Sequence, residues 1–212
     1  MLKRLFVCLL TVAAISLFSR DAAADVFDFS CISNNSATNC GVVESQLLVT
    51  ITQNGSMVDF VFENTGPAAS SITDIYFDDP PPLLGGMPVI VGSSSGVNFS
   101  AGCSPGSLPG GNTYGFTTAY CADSNSPTQP NGVNPTESLR LSYTLQSGYT
   151  FLDVMNAIAD NSFQVGIRVQ GFANGGSEAA IMNTASVPEP STIMLFGIGA
   201  AATLVRRRRK VA

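Results

Sequence analysis

Residues 46–66 read QLLVTITQNGSMVDFVFENTG, and this stretch decides the fold. Apolar and polar side chains alternate on both sides of Asn54-Gly55, a period of two residues that is typical of β-strands. Asn and Gly accept the positive φ angles of a type I′ turn. The stretch therefore predicts an antiparallel β-hairpin.

The same period of two recurs along the chain. It is clearest in residues 138–146 and 162–172, and shorter candidate strands cover residues 71–79, 88–92 and 97–100. Many short strands between Gly- and Pro-rich turns predict a mainly β domain, a single antiparallel β-sandwich of jelly-roll or immunoglobulin-like type.

One segment breaks the β pattern. In residues 150–161, Phe151, Val154, Met155 and Ile158 follow the spacing of one helix face. This predicts one short helix covering an end of the sheet. Residues 101–135, dense in Gly, Pro, Ser and Asn, are expected to form a long loop.

The first 24 residues have the organisation of a secretory signal peptide. Lys3 and Arg4 precede an apolar run over residues 5–17, and the small residues Ala22-Ala23-Ala24 match an Ala-x-Ala cleavage site. We expect cleavage after Ala24, against the alternatives of a membrane anchor or a core helix. Residues 25–174 then form the β body, and residues 175–186, small and polar, are expected to be a flexible linker.

The body is strongly acidic. Between Asp25 and Ser186 stand thirteen acidic side chains and two basic ones, Arg140 and Arg168, a net charge of −11. Nucleic-acid binding requires clustered Lys and Arg, so this class of function is excluded.

Four cysteines remain once Cys8 leaves with the signal peptide: Cys31, Cys40, Cys103 and Cys121. An even number in an exported chain predicts two disulfides. Three pairings are possible, and we favour Cys31–Cys40 and Cys103–Cys121 because each closes a short loop. A zinc site would need CxxC spacing or histidine, which the chain lacks.

Catalytic groups are few. The chain has no histidine, which excludes Ser-His and Cys-His catalytic systems. The body has no lysine, which excludes Schiff-base chemistry and Ser-Lys pairs. Carboxylate pairs, as in glycoside hydrolysis, are what remains. We predict that the body is not an enzyme and that it needs no cofactor.

Asp74, Asp78 and Asp79 form the one acidic cluster in the strand pattern. Carboxylates are Ca²⁺ ligands, so the three are a candidate calcium site on ligand type alone. The alternative is an acidic strand end that keeps a sheet edge soluble.

Residues 187–212 have three parts. Val187, Pro188, Glu189 and Pro190 come first, followed by 15 uncharged residues, 191–205, and then by Arg206, Arg207, Arg208, Arg209 and Lys210. As a helix the apolar part would span about 22 Å, short of the ~30 Å bilayer core. It predicts a marginal transmembrane helix whose arginines stop transfer and stay at the cytoplasmic face.

This tail resembles the PEP-CTERM sorting signal of Gram-negative bacteria, a family whose tails are also labelled as ice-binding protein C-terminal type. The resemblance implies that Pro188, Glu189 and Pro190 are recognised by exosortase, a membrane protease-transpeptidase linked to exopolysaccharide and biofilm. It also implies an inner-membrane intermediate, followed by delivery to the cell surface or extracellular matrix.

We therefore expect an exported, non-enzymatic surface or matrix protein associated with exopolysaccharide. A secreted carbohydrate-active enzyme with a carboxylate pair is the alternative. A ligand-binding face should expose aromatic side chains, and Tyr76, Tyr114, Phe116 and Tyr120 are the candidates.

Overall fold

The predicted hairpin is present in the computed structural model, which describes residues 24–186. Strands β2 (Leu47–Asn54) and β3 (Met57–Asn64) pair antiparallel along their whole length. The two-residue loop is Gly55-Ser56, one residue later than expected, and only Gly55 has a positive φ, of 61°. This pattern fits a type II′ turn, which takes Gly at its first central position, rather than type I′.

Eight further strands complete the sheet: β1 (Asp25–Cys31), β4 (Ser71–Asp78), β5 (Val89–Ser93), β6 (Phe99–Ala101), β7 (Tyr120–Ser124), β8 (Glu137–Thr144), β9 (Gln164–Gln170) and β10 (Glu178–Met182). Three α-helices join them: α1 (Ala37–Gln46), α2 (Thr128–Asn131) and α3 (Phe151–Ala159). A 3-10 helix covers Gly111–Tyr114.

All ten strands form one antiparallel sheet in the order β5-β8-β3-β2-β1-β10-β9-β4-β7-β6. Strand β1 joins its two halves, because residues 25–28 pair with β2 and residues 29–31 pair with β10. A mainly antiparallel β body is confirmed. The jelly-roll or immunoglobulin-like sandwich stays a prediction, because all the described strands are hydrogen-bonded into one continuous sheet and not into two separate sheets.

An aromatic cluster joins strands that stand far apart in the sheet order. The ring of Phe60 on β3 lies 5.1 Å from that of Phe77 on β4, although these strands stand five places apart in the sheet. Tyr143 lies 4.8 Å from Phe77, and Phe163 lies 6.0 Å from Phe60. All four side chains are buried. The Phe60–Phe77 and Phe77–Tyr143 contacts are edge-to-face, and such contacts add to the free energy gained by burying apolar surface.

The predicted helix is confirmed as α3. Thr150 and Asp153 form a capping box at its start, and Val154 and Ile158 are buried. The expectation of a single helix is wrong, because α1 and α2 are also present. Helix α1 buries Asn39 and Gln46 on its inner face, so it lacks the apolar stripe by which helices are recognised.

The loop expected over residues 101–135 is interrupted by β7, which pairs with β4 and β6. The structure forms both favoured disulfides, Cys31–Cys40 and Cys103–Cys121. The first ties β1 to α1, and the second ties this long connection to β7.

The flexible linker predicted over residues 175–186 is wrong. Residues 178–182 form β10, which pairs with β1 on one side and with β9 on the other. Ala179, Ala180 and Met182 are buried. Small side chains suit a strand that is covered on both faces, and they conceal the strand pattern in the sequence.

No helix within residues 24–186 is long and apolar enough to cross a membrane. The predicted signal peptide, but for Ala24, and the predicted transmembrane helix over residues 191–205 fall outside the described residues.

Glu178, the first residue of β10, fixes the start of α1. Its side chain is buried, and its carboxylate accepts hydrogen bonds from the Ser33 hydroxyl, the Asn35 N–H at 3.0 Å and the Ser36 N–H at 2.8 Å. Ser36 is the N-cap of α1. A negative charge at a helix N-terminus is favourable, and here it also accepts hydrogen bonds from partly buried donors.

We predict that Glu178→Ala destabilises the body by about 2 kcal/mol, because it leaves several partly buried donors without their acceptor. Chemical denaturation of the oxidised full-length chain, followed by circular dichroism, measures the change. The matched control is Glu44→Ala on α1, where an exposed carboxylate accepts one hydrogen bond, from Cys31 N–H. Equal losses for both variants would contradict the anchoring role of Glu178.

Candidate functional site

The predicted sorting residues lie beyond the described part of the chain. Val187, Pro188, Glu189 and Pro190 and the arginines Arg206–Arg209 are all outside residues 24–186. The structure does establish how the chain approaches them, because β10 ends at Met182.

Asn183, which follows β10, is held by hydrogen bonds to residues of β1. Its backbone N–H donates to the Asp28 carbonyl at 3.0 Å, and its side-chain N–H donates to the Asp28 carboxylate at 2.7 Å. The Ser30 hydroxyl donates to the Asn183 side-chain oxygen at 2.7 Å. In the sequence, three residues, Thr184, Ala185 and Ser186, separate Asn183 from Val187.

The three aspartates of the candidate calcium site do not converge. Asp74, Asp78 and Asp79 are all buried, so the alternative of a solvated strand end is wrong. Each carboxylate is bound by different partners, and among residues 24–186 the three do not form a group whose oxygens could share an ion.

Asp74 lies in a polar row that crosses three strands. It stands opposite Asp123 on β7 and Arg168 on β9. The Thr73 hydroxyl donates to its carboxylate at 2.6 Å, the Tyr76 hydroxyl donates at 3.2 Å, and Arg168 Nη1 lies 3.9 Å away. Burial has the largest effect on the Asp74 carboxyl group and raises its pKa. The hydrogen bond from the Thr73 hydroxyl has a smaller effect and lowers the pKa. This row was missed in the sequence because its members come from distant segments.

Asp78 and Asp79 hold loops. Asp78 accepts a hydrogen bond from Thr117 N–H at 2.9 Å, and Asp79 accepts from Leu83 N–H at 2.8 Å and Leu84 N–H at 2.9 Å. Burial raises the pKa of both carboxyl groups, and these backbone hydrogen bonds oppose the rise. Their geometry is that of structural acceptors.

Cys31, Cys40 and Glu178 are close enough together to suggest a metal site. Both sulfur atoms are used in the Cys31–Cys40 disulfide, and the carboxylate is occupied by the hydrogen bonds described above. Metal binding by cysteine needs the free thiolate. The cluster is therefore a structural junction.

The candidate aromatic face is mostly internal. Tyr76 and Phe116 are buried together with Leu108, and Tyr120 is partly buried. Tyr114 is 52% exposed at the end of the 3-10 helix, between Gly110 and Gly115, whose φ angles are both positive. One of the four candidates thus stands in solvent.

We predict that the body becomes more stable as the pH falls from 7 toward 4. The pKa values of Asp74, Asp78 and Asp79 are raised in the folded protein, so folding favours the protonated form of each carboxyl group. That stabilisation is complete below the unfolded pKa of 3.8 and is lost as the pH rises through the folded pKa. The pKa values of Asp153 and Asp160 are lowered in the folded protein, so the stability that these two groups contribute is lost only as the pH falls below 3.8.

Thermal unfolding between pH 4 and 7 tests this, with Asp78→Asn as the informative variant. Asparagine keeps an acceptor for Thr117 N–H, so the variant should unfold at a higher temperature at pH 7 and show a weaker pH dependence. Glu63→Gln on β3 removes the same charge from a less buried position and is the control. The same response in both variants would assign the effect to net charge.

Comparison with known proteins identifies one segment. Residues 186–210 match the family described as the PEP-CTERM protein-sorting motif. Neither a curated protein nor a solved structure matches the chain. The match covers the Pro-Glu-Pro motif, the apolar stretch and the arginines, and it confirms the resemblance seen in the sequence. Residues 186–210 therefore carry a PEP-CTERM protein-sorting motif, a signal that implies export and sorting through exosortase, a membrane protease.

Proposed function

We propose that the chain is a non-enzymatic protein of the cell surface or extracellular matrix, whose tail delivers a β body that acts by binding. The observation that carries this proposal is the state of the body's buried carboxylates. Asp59, Asp74, Asp78, Asp79 and Glu178 are each buried and each hydrogen-bonded to groups of the fold itself.

The carbohydrate-active enzyme gains little support from this arrangement. Asp74 and Asp123 are the carboxylates that stand directly opposite each other on neighbouring strands, β4 and β7. The Asp74 side chain is only 2% exposed, and Thr73, Tyr76 and Arg168 surround it. A glycosidase must place both carboxylates against a bound sugar. A carboxylate that solvent barely reaches is a poor candidate for this role.

An exopolysaccharide is the partner that we propose for the body. Tyr114 offers an exposed aromatic ring on a tight turn, and residues 80–122 around it contain no charged side chain. The rest of the body is acidic and repels polyanions. A neutral polysaccharide, packing sugar rings on Tyr114, fits this surface better than an anionic one.

Delivery through the tail is tested in a host that possesses exosortase. Replacing Pro188, Glu189 and Pro190 with alanine should leave membrane insertion intact and block processing, as read from intact mass and cell fractionation. Replacing Arg206–Arg209 with alanine should instead impair retention and orientation in the membrane before processing. An unchanged mature mass and location after the Pro-Glu-Pro replacement would contradict the sorting role.

Binding to polysaccharide is tested by co-sedimentation of the full-length chain with neutral exopolysaccharide from the host. We expect Tyr114→Ala to weaken binding by about fivefold, or about 1 kcal/mol. Tyr149→Ala is the control, because Tyr149 is 38% exposed and lies outside residues 80–122. Equal losses, or no binding by the unaltered chain, would contradict the proposal.

A further inference from the structure

Strand β5 is one of the two edges of the sheet. Its Val89–Ser93 backbone pairs with β8 on one side, and no strand within residues 24–186 pairs with the other side. The opposite edge, β6, has only three residues. A short edge is one of the ways in which proteins avoid pairing with other chains, and β5 is the longer of the two.

The side chains of β5 are exposed to an unusual degree. Val89 is 55% exposed, Ile90 36% and Val91 49%, and Met87, just before the strand, is 50% exposed. Contiguous exposed apolar side chains on a soluble surface mark interaction sites. Pro88 precedes the strand and a bulge lies between Ile90 and Gly92, so the region able to pair is short.

The charge distribution separates β5 from the rest of the body. No Asp, Glu, Lys or Arg occurs in residues 80–122, whereas residues 25–186 as a whole carry a net charge of −11. Two copies that approach through other faces bring like charges together, which is unfavourable. Strand β5 itself carries no charged side chain, so two copies that approach through it oppose no like charges on this strand; the exposed Arg140 lies on the neighbouring β8, opposite Gly92.

From these observations we propose that β5 pairs with β5 of a second copy of this chain. An antiparallel edge is self-complementary under a two-fold axis, so identical strands satisfy each other's free N–H and C=O groups. The exposed valine and isoleucine side chains then pack across the strands. This self-association goes beyond the delivery and polysaccharide binding proposed above and is independent of both.

The size of the edge sets the strength of the contact. Two five-residue strands bury much less than the ~1,600 Å² of a standard protein interface. The dimer should therefore form reversibly, in proportion to concentration.

Position-specific cross-linking of the full-length, oxidised chain in detergent micelles tests the pairing. Val89→Cys, Ile90→Cys and Val91→Cys are made one at a time and oxidised mildly. Residues opposite each other in antiparallel strands have Cα atoms ~4.5–5.5 Å apart, within the range of a disulfide. We expect at least one of the three to give a covalent dimer at a severalfold higher yield than Leu152→Cys. Leu152, 65% exposed on α3, is the control for random collision.

Sedimentation velocity on Ile90→Asp supplies a second measurement that needs no added thiol. Two added carboxylates close to the two-fold axis should weaken association at least about tenfold, equivalent to 1.4 kcal/mol, whereas Leu152→Asp adds the same charge without effect. Thermal unfolding of each variant confirms that the body is folded. Cross-linking no greater than at Leu152, or association unaffected by Ile90→Asp, overturns the proposal and assigns any dimer to another part of the chain.

Discussion

The fold depends on the division of one strand between two partners. Residues 25–28 of β1 pair with β2, and residues 29–31 pair with β10, so a single seven-residue strand connects the two halves of the sheet. Phe27 and Phe29 point into the core from this strand and are buried. The ring contacts between β3 and β4 depend on this connection, because the two strands stand on opposite sides of β1 in the sheet order.

The acidic composition of the body acquires a structural meaning in the fold. Several of its carboxylates are internal acceptors that attach loops and helix starts to strands, as Glu178 does for α1 and Asp79 does for residues 83–84. Buried carboxylates need such donors, because an unsatisfied charge in the interior is very unfavourable. The same contacts that hold the body together withdraw these groups from solvent.

The sequence predicted those parts of the fold whose pattern is local. The β2–β3 hairpin and α3 have clear periodicity and a turn or a cap, and both disulfides close short loops. Helix α1 was missed because its buried face includes polar Asn39 and Gln46, which bond within the fold, and β10 was missed because alanines replace the usual branched side chains. The row around Asp74 is set by strand register, which spacing along the chain does not reveal. The sorting motif, by contrast, is a continuous stretch of residues, so it could be recognised from the sequence alone.

The pairing of β1 with β10 has a consequence for the timing of export. The predicted signal peptide implies export that begins at the amino terminus, so β1 would emerge first and β10, its partner about 150 residues later, would emerge last among the strands. The sheet cannot close before residues 178–182 are available to pair with β1. Closure of the sheet thus requires almost the entire body, up to the residues just ahead of the PEP-CTERM motif in the sequence.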